Sequence, residues 1–228
     1  MIVGIIGAME KEIILLKEKM TIEKIEEIAS LTFYIGQLYG KKVVLVRSGI
    51  GKVNAAMCTQ ILIDIYNVEM VINTGVAGAL HPDLEVGDIV VSIDTLQHDI
   101  DASVFGDPRG VIPGMVESVF LADKRLLDII DQITLKDQKI LKGRVVTGDQ
   151  AIGCGITKTL LYEHFHGFCV EMEGGAIAHV CYLNKIPFLI IRAISDKADE
   201  KVEVNYNEFI ELAAKNSSFL LENILIKL

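Results

Sequence analysis

The chain has 228 residues, 51% of them hydrophobic, and its 31 acidic against 22 basic side chains give a formal net charge of −9. That length and apolar content suffice to bury a substantial core in one large α/β domain. The negative balance excludes a surface built for nucleic acid or anionic membrane, both of which reward Lys and Arg patches, so small-molecule work is expected.

No Pro-rich or Ser-rich linker, charge block, low-complexity tract or repeat divides the chain, which reads as one domain over residues 1–228. No uncharged apolar run reaches the roughly 18 residues of a membrane span. The opening MIVGIIGAMEKE is apolar only briefly and has no basic start, so it reads as a first strand rather than a signal segment. Cys58, Cys154, Cys169 and Cys181 lack CxxC spacing, which points to unpaired thiols in a reducing cytoplasm.

Ile2 to Ile6 is a compact buried strand, and Gly7-Ala8-Met9 turns the chain into a helix, setting Glu12 near a helix N-terminus beside a strand end. By itself Glu12 reads equally well as a solvated helix acid. Residues 21–30 are charged and read as a surface connection; Leu31 to Tyr39 and Lys42 to Arg47 read as a hairpin around Gly40. SGIGK, Ser48 to Lys52, leads into a helix from Asn54 to Tyr66, and its glycines permit close backbone approach to a ligand, although no phosphate-loop pattern is present.

Glu69 to Asn73 is another buried strand, ending in NTGVAGA, whose small residues suit either a backbone-lined pocket or a plain tight turn. Val86 to Thr95 is strand-like. The Gly/Pro-marked HDIDASVFGDPRGVIPG after it is too long for a simple connector and suits a lid, an interface or a binding segment. His98, Asp99 and Asp101 lack the spacing and the second His of a standard metal set, so no metal is expected. A helix from Leu121 to Ile133 and a strand from Lys139 to Thr147, followed by GDQAIG, continue the alternation.

His166 to Val170 is a short strand that hands over at VEMEGGA to a helix with Ala176, Ile177, Val180 and Leu183 as its apolar stripe. Glu173 then sits at the helix mouth, where open α/β sheets bind ligands, although Glu171 and Glu173 read equally as first-turn acids complementing the helix dipole. PFLIIRAISD, Pro187 to Asp196, is a strand buried on both faces and interrupted by Arg192, a guanidinium that needs acceptors such as those two carboxylates. Tyr206 to Lys227 closes the chain as an amphipathic helix with Phe209, Leu212, Ala213, Phe219 and Leu220 inward. The alternation predicts a central mixed, largely parallel β-sheet flanked by α-helices.

IGAMEKE, SGIGKVNAA, NTGVAGA, VGDIVV, TGDQAI, VEMEGGAIAHV and FLIIRAISD occur in the order found in the 5′-methylthioadenosine/S-adenosylhomocysteine nucleosidases of the nucleoside phosphorylase superfamily, which the chain resembles over nearly its full length. The resemblance implies hydrolysis of an N-glycosidic bond with release of adenine, no cofactor, and 5′-thioadenosine nucleosides and water as partners. The same chemistry extends to 5′-deoxyadenosine or 6-amino-6-deoxyfutalosine. It further implies a cytoplasmic homodimer serving methionine salvage.

By the same resemblance Asp196 is the acid that serves purine N7, oriented by Ser195 and expected to have a raised pKa; Glu12 activates water; and Glu173 holds the ribose hydroxyls. Met172 packs on the sugar, Arg192 orders the acidic cluster, Ile152 offers backbone groups to the purine, and Gly78 lines the pocket. Met9, Ile50 and Tyr206 wall the 5′-substituent, while Phe105 and Pro113 complete the neighbouring subunit's site.

Two positions depart from the pattern: Val76 stands where the family commonly has Ser, and Ala151 where it has an aromatic. A lost donor costs about 3 kcal/mol in the transition state and a lost stacking contact about 1 kcal/mol. A phosphorylase, disfavoured by Glu12 as a neighbour for phosphate, and a nucleoside-binding homologue with weak turnover are the alternatives.

Overall fold

The computed structural model describes residues 1–135, 138–198 and 202–228, the side chains of 202–208 falling outside the described set. In chain order the elements are β1 (Ile2–Gly7), α1 (Glu10–Lys19), β2 (Thr21–Ile28), β3 (Leu31–Leu38), β4 (Lys41–Arg47), α2 (Lys52–Asp64), β5 (Met70–Ala79) and β6 (Ile89–Gln97). A long loop with one 3-10 turn at Ser103–Phe105 leads to β7 (Val119–Leu121), α3 (Lys124–Ile130), β8 (Ile140–Thr147), α4 (Gly155–Phe165), β9 (Gly167–Glu171), α5 (Gly174–Asn184), β10 (Phe188–Asp196) and α6 (Val202–Lys227).

All the strands belong to one sheet, ordered β10-β6-β8-β9-β5-β1-β4-β3-β2 with β7 beside β6. Because β10 also pairs with β5, the strands β5, β10, β6, β8 and β9 close into a ring. The sheet is mixed, as expected. Parallel pairing joins β1 to β4 and β5, β5 to β10, and β8 to β6 and β9, while β2 with β3, β3 with β4, β6 with β7, β6 with β10 and β5 with β9 pair antiparallel.

The ring strands are apolar along their length because both faces are covered. Val71, Val90 and Ile190 face a layer with Cys58 and Leu62 of α2 and Ile177 and Cys181 of α5. Their immediate neighbours Ile72, Val91 and Ile191 face the opposite layer, with Leu16 of α1, Leu126 of α3 and Leu220 and Ile224 of α6. Period-two alternation between two dry layers is what produces a continuous apolar run.

Several expectations are corrected. Residues 21–28 are an edge strand, not a connection; all but Glu26 and Ile28 are exposed, so no buried period marks them, and their charges guard the edge. NTGVAGA continues β5 in extended form rather than turning. The third helix is shorter than predicted, since Asp123 caps it by accepting from Arg125 N and Leu126 N, and Leu121 belongs to β7. In α5 Leu183 is exposed and Gly174, Ala178 and Cys181 are buried; in α6 Leu212 and Phe219 are exposed while Ile210, Ala214 and Leu221 are buried beside Ala213 and Leu220. Helices this apolar offer several stripes to the eye, and only the packing selects one.

Candidate active site

β5 is shared by two strands along one edge. β1 pairs with residues 70–73 and β9 with Gly78 and Ala79, while β10 takes the other edge from Val71 to Gly78. Residues 74–77 are left without a strand partner on the split edge, and there the carboxylate of Glu12 enters: its Oε1 accepts from Val76 N at 3.1 Å. Its Oε2 accepts from Ala8 N at 2.6 Å and Met9 N at 2.9 Å, so three backbone amides hold the acid at the mouth of α1. Gly75 makes room, since a Cβ there would lie 2.5 Å from Glu12 Oε1 and 2.4 Å from Arg192 Nη1.

The acid that caps α5 is Glu171, not Glu173. Glu171 Oε2 accepts from Glu173 N at 3.0 Å and Gly174 N at 2.7 Å, and its Oε1 accepts from Thr147 Oγ1. Glu171 also receives the guanidinium of Arg192, through Nη2 and through Nε at 3.1 Å, and Arg192 Nη2 reaches Asn73 Oδ1 at 2.5 Å. The acceptors expected for Arg192 are therefore present, reached from across β5 rather than from an adjacent strand. Glu173 is left to face the cavity, its Oε2 3.6 Å from Arg192 Nη2 and its Oε1 accepting from Gly51 N at 2.9 Å. Gly51 has φ +97°, a left-handed conformation that favours glycine and here aims its amide at the acid.

Asp196 ends β10 just past a register shift. Its Oδ2 accepts from Ser195 Oγ and its Oδ1 from Ala198 N, both at 2.8 Å. A Cβ on Gly78 would lie 2.9 Å from Asp196 Oδ1, so the glycine admits the carboxylate. The 148–152 loop is braced by Asp99, which accepts from Lys52 Nζ at 2.6 Å and from Asp149 N at 2.9 Å, a structural use for a residue first considered as a metal ligand.

These groups surround a cavity of about 150 Å³ whose walls include Met9, Glu12, Ile50, Val76, Gly78, Ala151, Ile152, Met172, Glu173, Ser195 and Asp196. Glu12, Glu173 and Asp196, far apart in sequence, thus open onto one space. Arg192 lies behind it, 1% exposed. Phe105 and Pro113 are exposed and do not line this cavity, and the side chain of Tyr206 lies outside the described residues. Unanticipated participants are Thr147, Gln150, Asn73 and Gly75; Glu171 is one of the acceptors expected for Arg192.

Burial shapes the electrostatics. It pushes the Glu12 carboxyl above its ordinary range, outweighing the opposing pull of Arg192 and the three amides. Burial, then the charge of Glu171, raises Glu173 to about 7. Burial works against the charge of Arg192, but Glu171, Glu173 and Glu12 together hold its proton more firmly than usual. One buried cation among several carboxylates leaves proton-holding acids facing the cavity, as general acid–base chemistry requires.

A family model described as the phosphorylase superfamily matches residues 2–226. The chain is 42% identical over 225 residues to a 5′-methylthioadenosine/S-adenosylhomocysteine nucleosidase of Staphylococcus haemolyticus, covering 98% of each. Its fold is similar to that of the nucleosidase of the same name from Neisseria meningitidis in complex with methylthio-immucillin-A, with TM-score 0.96, 39% identity, and 100% and 99% of the two chains covered. It is also similar to futalosine hydrolase of Helicobacter pylori, with TM-score 0.93, 30% identity, and 100% and 98% covered.

Proposed function

The chain belongs to the phosphorylase superfamily, among its 5′-methylthioadenosine/S-adenosylhomocysteine nucleosidases, and from that membership we propose how its cavity performs the reaction. The enzyme hydrolyses the N-glycosidic bond of both nucleosides and releases adenine. As the bond between the anomeric carbon and purine N9 breaks, its electron pair passes to the base, and Asp196 gives a proton to N7. A water oxygen bonds to the anomeric carbon while Glu12 takes a proton from it; burial makes Glu12 the stronger base. Glu173 accepts the ribose hydroxyls, and its negative charge offsets the cation that develops on the sugar.

Met172 packs on the ribose, Gly78 and Ile152 border the purine, and Met9 and Ile50 wall the 5′-substituent. Arg192 fixes Glu171 and through it the start of α5. Val76 offers no hydroxyl to the water, while its backbone amide holds Glu12 at 3.1 Å. 5′-Deoxyadenosine is a further expected substrate.

The observation that carries this reading is the convergence of Glu12, Glu173 and Asp196 on one cavity. Adenine release from methylthioadenosine in phosphate-free buffer tests it: Asp196→Asn and Glu12→Gln should each lose on the order of 10²- to 10⁴-fold in kcat. Full activity in Asp196→Asn would remove the proton donor, and a strict need for phosphate would replace hydrolysis by phosphorolysis. The same reading assigns the enzyme to the cytoplasm and to methionine salvage. It also assigns a homodimer in which Phe105 and Pro113 reach the neighbouring cavity. The buried thiols of Cys58, Cys169 and Cys181 support the first. The exposed apolar side chains Val104, Phe105, Val116, Leu121 and Ile156 support the last.

A further inference from the structure

A second cavity, of about 420 Å³, lies against the first, and Ala8, Met9 and Ile50 belong to the walls of both. Its character differs. Where the first cavity is lined mainly by apolar side chains and acids, the second carries charges of opposite sign, Arg47 at the end of β4 and Glu10 at the start of α1, with Ser30 in the β2–β3 turn and Thr32 on β3. Arg47 is exposed and makes no hydrogen bond or ion pair among the described residues. Glu10 Oε1 accepts from Lys17 Nζ at 2.9 Å, and no hydrogen bond reaches its Oε2 among the described residues.

Met9 and Ile50 are the residues assigned above to the 5′-substituent, so a substituent longer than a methylthio group runs past them into this second space. The two substrates differ there: methylthioadenosine ends in a methyl group, whereas S-adenosylhomocysteine continues through a short carbon chain to an α-carboxylate and an α-ammonium. An unpaired guanidinium suits the carboxylate, and a carboxylate with a spare oxygen suits the ammonium. We propose that the cavity between Arg47 and Glu10 is the subsite for the zwitterionic amino-acid tail, so that Arg47 sets the relative preference for tailed over tailless 5′-thioadenosines. This rests on the nucleosidase reading above.

Steady-state adenine release from methylthioadenosine, from S-adenosylhomocysteine and from a 5′-(3-aminopropylthio) analogue that lacks the carboxylate separates the possibilities. Arg47→Gln should lower kcat/KM for S-adenosylhomocysteine relative to methylthioadenosine by about tenfold, through KM rather than kcat. Arg47→Lys, which keeps the charge, should recover most of that loss. The aminopropyl analogue should not distinguish Arg47→Gln from the wild type. An unaltered substrate ratio in Arg47→Gln, or an equal loss with the carboxylate-free analogue, would overturn the subsite while leaving the nucleosidase intact. A wild type that releases adenine from neither natural nucleoside would overturn the nucleosidase reading and the subsite with it.

Discussion

The carboxylate of Glu173 is held by the Gly51 amide at 2.9 Å, stands 3.6 Å from the Arg192 guanidinium and feels the repulsion of buried Glu171. Its pKa of about 7, against an ordinary 4.5, means that the folded chain binds this proton more tightly than the unfolded chain does. Its stabilising contribution is therefore fully present below about pH 4.5 and is lost as pH rises through about 7, a difference of about 3 kcal/mol at most. Glu173→Gln should accordingly raise the Tm at pH 8, by an amount equivalent to about 1–3 kcal/mol, and leave it nearly unchanged at pH 4.5. Thermal unfolding at the two pH values checks this, and a Tm difference independent of pH would refute the charge argument. Residue types alone gave the need of Arg192 for acceptors and set Glu12 and Glu173 near helix starts; the roles of Glu12, Glu173 and Asp196 came from the family resemblance. They did not divide the labour between Glu171 and Glu173, because both stand near a helix N-terminus and only the backbone path decides which one turns inward.

At the scale of elements, β5 organises the site, since it carries β10 on one edge and is split between β1 and β9 on the other. The sequence shows its buried first half plainly, as Val71 and Ile72, but NTGVAGA has the composition of a turn and conceals the rest. Gly75 is there for close approach, not for an unusual backbone angle: the space a Cβ would take is filled by Glu12 and Arg192. Gly75→Ala should destabilise the fold by about 1–3 kcal/mol through overpacking and reduce kcat on the order of 10²-fold by displacing Glu12. Circular dichroism melts together with adenine release would measure both, and a variant matching the wild type in both would show that the crowding is relieved cheaply. The charged edge strand β2 escaped notice for a different reason: it buries so little that it leaves no periodic trace.

For the whole molecule, alternation of strands and helices was enough to predict a mixed sheet between helical layers. Closure of five strands into a ring was not legible, because it depends on β10 and β9 meeting β5 at opposite edges, a fact of register rather than of composition. The long loop after β6 carries Phe105, 87% exposed, outside the chain's own cavity. If that ring seats in a second copy, Phe105→Asp should shift sedimentation from dimer toward monomer and cut kcat/KM at high dilution by about tenfold or more. A variant that still sediments as the wild type with undiminished activity would remove Phe105 from the interface.

The split edge of β5 ties upkeep of the molecule to its chemistry. Where the strands leave off, the acid at position 12 answers the amide of Val76, so replacing it with a side chain that cannot accept would strand a polar group in the interior. Mutational drift at that site is therefore screened by foldability before turnover is ever tested. A descendant that had abandoned nucleosides altogether would still need a hydrogen-bond acceptor there.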